Sequence, residues 1–252
     1  MQTISSALAW WANTTPDSIA LSFGREKISY DRLCAWSEHI AAELISAGVE
    51  RGDRVGICAA NSAEYCALIE GIIRVGAIVA PLNMRYTLFE MRELLEDTAP
   101  KLVFADEERR IRLAEIGIAL RAVEDIRIFD KSTRLEIDRD TRPDDPVVII
   151  ATSGSTAKPK GVVFTNRSMT TYAAGFALEE SECTKGSRVI VPAPLSTSAG
   201  FVQLIHYTTM GCSLFFESAS DPEVLLLAPS LCSSSASRIV LALMPQTCRI
   251  SA

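Results

Sequence analysis

Histidine is nearly absent, with two residues in 252, so chemistry built on clustered imidazoles has little to draw on. His39 follows Glu38 in a helical run, where a solvated face is the plain reading. His206 lies among Leu204, Ile205 and Tyr207. No partnered nucleophile accompanies it, so packing is favoured over base catalysis. Seven cysteines are present, yet no two have the two-residue spacing of a zinc or redox motif. Their odd number reads as reduced thiols serving as small buried hydrophobes, and a reducing, cytoplasmic setting is expected. Residues 1–24 contain no Lys or Arg, so the basic start of a signal peptide is missing. The longest apolar stretch, Cys66 to Leu82, is broken by Glu70 and Arg74, which falls short of an uncharged membrane span. A basic excess is lacking too. The 25 Lys and Arg against 31 Asp and Glu leave a net charge of −6, unsuited to non-specific phosphate-backbone binding.

What is present is ordinary globular composition, 48% hydrophobic and 22% charged. A chain of this length buries roughly 70–75% of its unfolded surface without a metal or disulfide framework. Short β-branched runs alternate with longer helical periods. A strand pair is expected at 18–23 and 27–30 around Gly24-Arg25-Glu26, then a helix from Ser29 to Ala47. Arg54 to Ala59 reads as a strand, with Asn61 or Ser62 able to cap the helix that follows. Thr87 and Glu90 have capping-box spacing at the start of another helix. Lys101 to Ala105 reads as a strand, Glu107 to Leu120 as a helix and Ile126 to Phe129 as a strand. Strands at Val147–Ile150, Gly161–Thr165, Arg188–Val191 and Cys212–Phe216 are separated by helices near 168–178 and 198–210. The fold class expected is α/β, with mainly parallel sheets covered by helices. The pairs Asp144-Asp145 and Glu107-Glu108 read as solvated loop or helix-start positions, Arg109-Arg110 as a short charged turn, and Trp10-Trp11 as packing for an N-terminal helix.

One segment carries chemistry. Thr152-Ser153-Gly154-Ser155-Thr156-Ala157-Lys158-Pro159-Lys160-Gly161 follows an apolar strand directly. Hydroxyls and free backbone N–H groups donate to phosphate oxygens, glycine lets the backbone approach, and Lys160 supplies a mobile cation. Gly154 and Gly161 are seven positions apart and Val162 follows, so this is no Walker loop. Pro159 opposes a helix starting there. A hairpin tip laid across phosphates is expected instead.

That segment resembles the phosphate-loop signature of the adenylate-forming superfamily, the acyl-CoA synthetases and related AMP-dependent ligases. Ala157 stands where the family usually has glycine. Ile28-Ser29-Tyr30-Asp31-Arg32-Leu33, Gly52-Asp53-Arg54-Val55-Gly56-Ile57 with Asn61-Ser62, and Gly76 to Asn83 are similar to other family segments, in family order, so the likeness covers about residues 15–220. The resemblance implies a partial AMP-binding domain over 1–220, with Thr152, Ser153, Gly154, Ser155, Thr156, Lys160 and Gly161 holding ATP phosphates. It implies ATP, Mg²⁺ and CoA as cofactors, a small carboxylic acid as substrate, and acyl-adenylate formation followed by transfer to CoA. In Pro194-Leu195-Ser196-Thr197-Ser198-Ala199-Gly200, Thr197 takes the place of the histidine that relatives carry near the acyl and pantetheine tunnel.

The family's later adenine, ribose and Mg²⁺ segments and its C-terminal lysine have no counterpart here. Residues 221–252 contain no Gly or Lys and only four charged side chains, Asp221, Glu223, Arg238 and Arg249. They are expected to form a divergent, poorly ordered tail, for which a frame change or truncation near residue 224 would account. The isolated chain is accordingly expected to be a non-catalytic part of such a ligase, with at most weak ATP or polyphosphate affinity.

Overall fold

The computed structural model describes residues 3–127, 141–152, 160–179, 185–216 and 239–241. Its first helix, α1 (Ile4–Thr14), opens with a capping box between Thr3 and Ser6. Strands β1 (Ile19–Phe23) and β2 (Glu26–Ser29) form a hairpin. Ser29 then caps α2 (Tyr30–Ser46) through the amide of Arg32. Strand β3 (Arg54–Cys58) leads to α3 (Ala63–Val75), β4 (Ile78–Pro81), α4 (Leu88–Thr98), β5 (Leu102–Ala105), α5 (Glu107–Ala114) and β6 (Leu120–Ala122). A 3₁₀ turn, Glu124–Arg127, follows. Beyond it come β7 (Pro146–Thr152), β8 (Lys160–Thr165), α6 (Asn166–Glu179), β9 (Arg188–Ile190), α7 (Ser198–Thr209), β10 (Ser213–Phe215) and β11 (Ile239–Leu241).

The strands form two sheets. One runs β6-β5-β3-β4-β7-β8, the other β11-β9-β10-β1-β2. Each is parallel except for an antiparallel edge strand, β8 in the first and β2 in the second. This is the α/β architecture expected. The reason lies in the connections: parallel neighbours need a crossover, and helices supply it. Helix α3 is buried on nearly every side, from Tyr65 and Leu68 to Ile72 and Val75. It packs on α2 so closely that a Cβ on Gly71 would sit 2.5 Å from Ile40 Cγ2. Gly76 ends α3 with φ +79°, which an L side chain adopts only with strain.

The stretch after β5 departs from the expected helix and strand. Helix α5 stops at Ala114, Gly117 reverses the chain with φ +77°, and β6 pairs with β5 at Val103↔Leu120. Leu120-Arg121-Ala122 is half-buried, exposed, buried in turn, the two-residue period of a strand rather than a helix. Ile126, expected in a strand, lies in the 3₁₀ turn, where its carbonyl accepts the Trp36 indole N–H at 3.0 Å. Phe129 and most of the polar connection at 130–146 lie outside the described residues, as does most of 221–252. Within the latter, Ile239–Leu241 aligns beside β9.

A polar knot anchors the base of the β7–β8 hairpin. The Asp145 carboxylate accepts from Arg142 N at 2.8 Å and contacts the Arg51 guanidinium. Asn166, 1% exposed, donates its backbone N–H to Asp145 O at 2.9 Å and its side-chain amide to Arg142 O at 3.1 Å. Its Oδ1 accepts from Ile4 N at 3.1 Å, at the start of α1. Asn166→Ala strands the buried Ile4 N–H and frees the part-buried Arg142 carbonyl, and should cost about 2 kcal/mol, read as a lower midpoint in urea.

Candidate active site at the carboxyl ends of the strands

Parallel strands point their carboxyl ends to one edge, and in open α/β sheets ligands bind there. Strands β3, β4, β5 and β7 all run the same way, so the chain leaving β7 at Thr152 emerges on the edge where Ala59 to Ser62 leave β3. The two arms of the hairpin are in register at Ala151↔Gly161 and Thr152↔Lys160. Thr152, Lys160 and Gly161 therefore stand at its mouth, with their backbones held by the six-stranded sheet. Ser153, Gly154, Ser155 and Thr156 lie between them and outside the described residues. Gly161 is required by packing: a Cβ there would meet Ile149 Cγ2, on the neighbouring strand, at 2.6 Å. The arms provide a two-stranded support whose tip sequence is rich in donors, which suits the oxygens of a polyphosphate. For Mg²⁺ the fit is different. Among the described residues no three carboxylate, imidazole or thiol groups converge, and no residue here is assigned to the ion.

The second element at this edge is the segment after β9. Pro194 O accepts from Thr197 N at 3.0 Å and from Thr197 Oγ1 at 2.7 Å. Thr197, with extended backbone, caps α7 by accepting from Gly200 N at 3.3 Å. Its hydroxyl is thus engaged on both sides by its own turn. The first turn of α7 lies so tightly on the segment that a Cβ on Gly200 would fall 2.2 Å from Pro194 O. Asn61 binds the segment from the other sheet. Its Nδ2 donates to Ala193 O at 3.1 Å and its Oδ1 accepts from Leu195 N at 2.8 Å. From sequence, Asn61 reads as an alternative cap for α3 and as part of a family-like turn, with no sign of this contact. Ser62 takes that role, accepting from Tyr65 N at 3.1 Å, which leaves the Asn61 amide for the longer reach. The available signal was the adjacency of two capping-type residues where one suffices.

Several buried titratable groups are packed as neutral side chains, Cys58 at the end of β3 among them. His206 is 3% exposed, its ring edge-on to Tyr207 at 4.6 Å, and burial lowers its pKa to about 4. It is therefore a neutral packing residue at physiological pH. Cys34, Cys58, Cys66 and Cys212 are free and buried, and burial pushes the Cys58 thiol up to about 11, so it stays an unreactive thiol. Trp11 packs against Tyr30 with ring centroids 6.4 Å apart and donates its indole N–H to Thr209 O at 2.9 Å, while Trp10 is exposed. Among the described residues no helix is long and apolar enough to cross a membrane.

These positions can be set beside known proteins. The chain is 35% identical over 204 residues to the hybrid PKS-NRPS synthetase phm1 of Pyrenochaetopsis sp, covering 79% of this chain and 5% of that protein. It is 29% identical over 224 residues to the feruloyl-CoA synthase of Amycolatopsis sp, covering 86% of this chain and 44% of that one. The chain thus spans less than half the length of either relative. Among solved structures it is similar to the inhibitor-bound N-terminal domain of FACL13 from Mycobacterium tuberculosis. The TM-score is 0.81 at 23% identity, over 91% of this chain and 61% of that one. At that identity the likeness speaks for the fold, and it places both sheets in the same architecture. The sequence profile of AMP-binding enzymes matches residues 8–229, a span that takes in the later turns of α1, β1 to β10, the β7–β8 hairpin and the Thr197 turn; the chain belongs to the AMP-binding enzyme family.

Proposed function

We propose that this chain is part of an ATP-dependent ligase that activates a carboxylic acid as its acyl-adenylate and then transfers the acyl group to a thiol, with CoA as the acceptor. The observation that supports this most is the hairpin: the backbones of Thr152 and Lys160 pair in register at its mouth, on the carboxyl edge of a parallel sheet. In the first step a carboxylate oxygen bonds to the α-phosphorus of ATP and the bond to the β-phosphate oxygen breaks, releasing pyrophosphate. In the second the thiolate attacks the acyl carbon and AMP leaves. The hairpin's part is electrostatic. Lys160 and the hydroxyls of Thr152, Ser153, Ser155 and Thr156 hold the β- and γ-phosphates and stabilise the charge that grows on pyrophosphate. Gly154 and Gly161 allow the backbone to approach. Thr197 lies on the acyl and thiol side, where it shapes the segment rather than titrating.

The test is carboxylate-dependent exchange of labelled pyrophosphate into ATP, run over fatty, aryl and amino acids. One charge-assisted bond is worth about 1.5–3 kcal/mol, so in a version that also carries the family's later segments Lys160→Ala should slow exchange about 10- to 100-fold. Unchanged exchange would remove Lys160 from the phosphate site. A wild-type chain with no exchange on any acid would leave it a non-catalytic part of such a ligase.

A further inference from the structure

We propose that Asn61 is a positioning residue for the acyl and thiol side of the site: its amide fastens the Thr197-bearing turn of one sheet onto the end of β3 in the other. The assignment of that turn to the acyl and thiol side rests on the ligase reading above. The geometry is that of a strand neighbour compressed into one side chain. The amide donates to Ala193 O at 3.1 Å and accepts from Leu195 N at 2.8 Å, gripping the chain on both sides of Pro194, which has no N–H to offer. The partners are 132 and 134 positions away in sequence. Leu195 is fully buried, so its N–H has no recourse to water once the amide is removed.

The gripped segment behaves as one piece. Pro194 O holds both Thr197 N and Thr197 Oγ1, and the absence of a side chain on Gly200 lets α7 begin against Pro194. Moving Ala193 and Leu195 therefore moves Thr197 and the first turn of α7 with them. Asn61 itself is held between β3 and the Ser62 cap of α3, and the adjacent Ala60 N–H is bonded to Asp106 Oδ2 at 3.2 Å. Both ends of the tie are thus well anchored. A loss of the amide is felt as displacement of the acyl-side turn, with the phosphate hairpin, two strands away across β4, left in place.

The experiment compares the full chain with Asn61→Ala, Asn61→Asp and Ser62→Ala. The aspartate variant keeps the size and the acceptor but turns a lone pair toward the Ala193 carbonyl. It serves if the alanine variant folds poorly. Amide hydrogen exchange at Leu195 should quicken about tenfold in Asn61→Ala, which removes its acceptor, and less in Asn61→Asp, which keeps it. In pyrophosphate exchange, with octanoate and benzoate as probe acids, KM for the acid should rise about tenfold while KM for ATP stays within about twofold. Ser62→Ala, which removes only the cap of α3, should lower stability and leave KM for the acid unmoved. Unaltered protection of Leu195, or an acid KM that moves no more than in Ser62→Ala, overturns the positioning role with the ligase reading intact. A wild-type chain inactive on every acid defeats the acyl-side assignment and leaves Leu195 protection alone to decide whether Asn61 fastens the turn.

Discussion

Gly200→Ala should lower the melting temperature by roughly 6–12 °C, the shift that about 3 kcal/mol produces in a domain near 250 residues. The added methyl would have its carbon 2.2 Å from Pro194 O, 2.6 Å from Pro194 C and 2.8 Å from Ala193 O. All three are backbone atoms, so no side chain can swing away to make room. Either α7 retreats from the segment, breaking the Thr197 cap, or the segment retreats from Asn61. Both routes leave buried donors without acceptors. Gly175→Ala provides the control within the same protein. It lies in α6 with nothing within 4 Å of its would-be Cβ, so the helix propensity of alanine should stabilise by up to about 1 kcal/mol. Two chemically identical changes thus have opposite expected signs, and thermal melts of the pair separate close approach from general intolerance. Equal melting temperatures would show that the turn yields.

Glu70 should make the protein lose stability as the pH rises. It lies in α3, 2% exposed, with neither carboxylate oxygen hydrogen-bonded. Burial raises its pKa from 4.5 to about 7, against a smaller opposing pull from Arg74. The Tyr30 and Cys66 groups near it are themselves raised by burial and stay neutral through this range. The folded state therefore keeps its proton between pH 4.5 and about 7, while the unfolded chain releases it. Stability from this group is fully present below 4.5 and is lost as the pH climbs through about 7. The difference corresponds to about 3 kcal/mol at the alkaline plateau. Glu70→Gln removes the titration while keeping the shape. It should match the wild type at pH 4 and exceed it by about 3 kcal/mol at pH 8, by urea denaturation. Parallel stability profiles for the two would refute this.

Local chemistry was legible where it involved neighbours in sequence. Thr87 and Glu90 formed the capping box their spacing announced, Gly76 closed α3, and the apolar run before Thr152 became β7. The alternation of strands and helices was enough for the parallel α/β class. The distribution of strands between two sheets was not legible, because parallel neighbours carry no record of one another in the intervening chain. The β6 strand was missed because Ile118, Leu120 and Ala122 are too few to outvote the helical run before them, and its edge pairing to β5 decided the matter. In the candidate site, the hydroxyls, glycines and lysines at 152–161 stand out in the sequence by density. Asn61 did not, since a single amide reaching more than 130 positions leaves no local pattern. Thr197 drew notice for the histidine it replaces, while its place as the cap of α7 left no mark in the sequence reading.

The order of strands has a consequence for how the protein is made. All six strands of one sheet have been synthesised once the chain reaches Thr165. The other sheet cannot close so soon. Leu21, near the start, waits for Leu214 as its parallel neighbour. On the ribosome the first hairpin must remain without that partner while nearly two hundred further residues emerge, so one half of the molecule is ready to fold well before the half that began first.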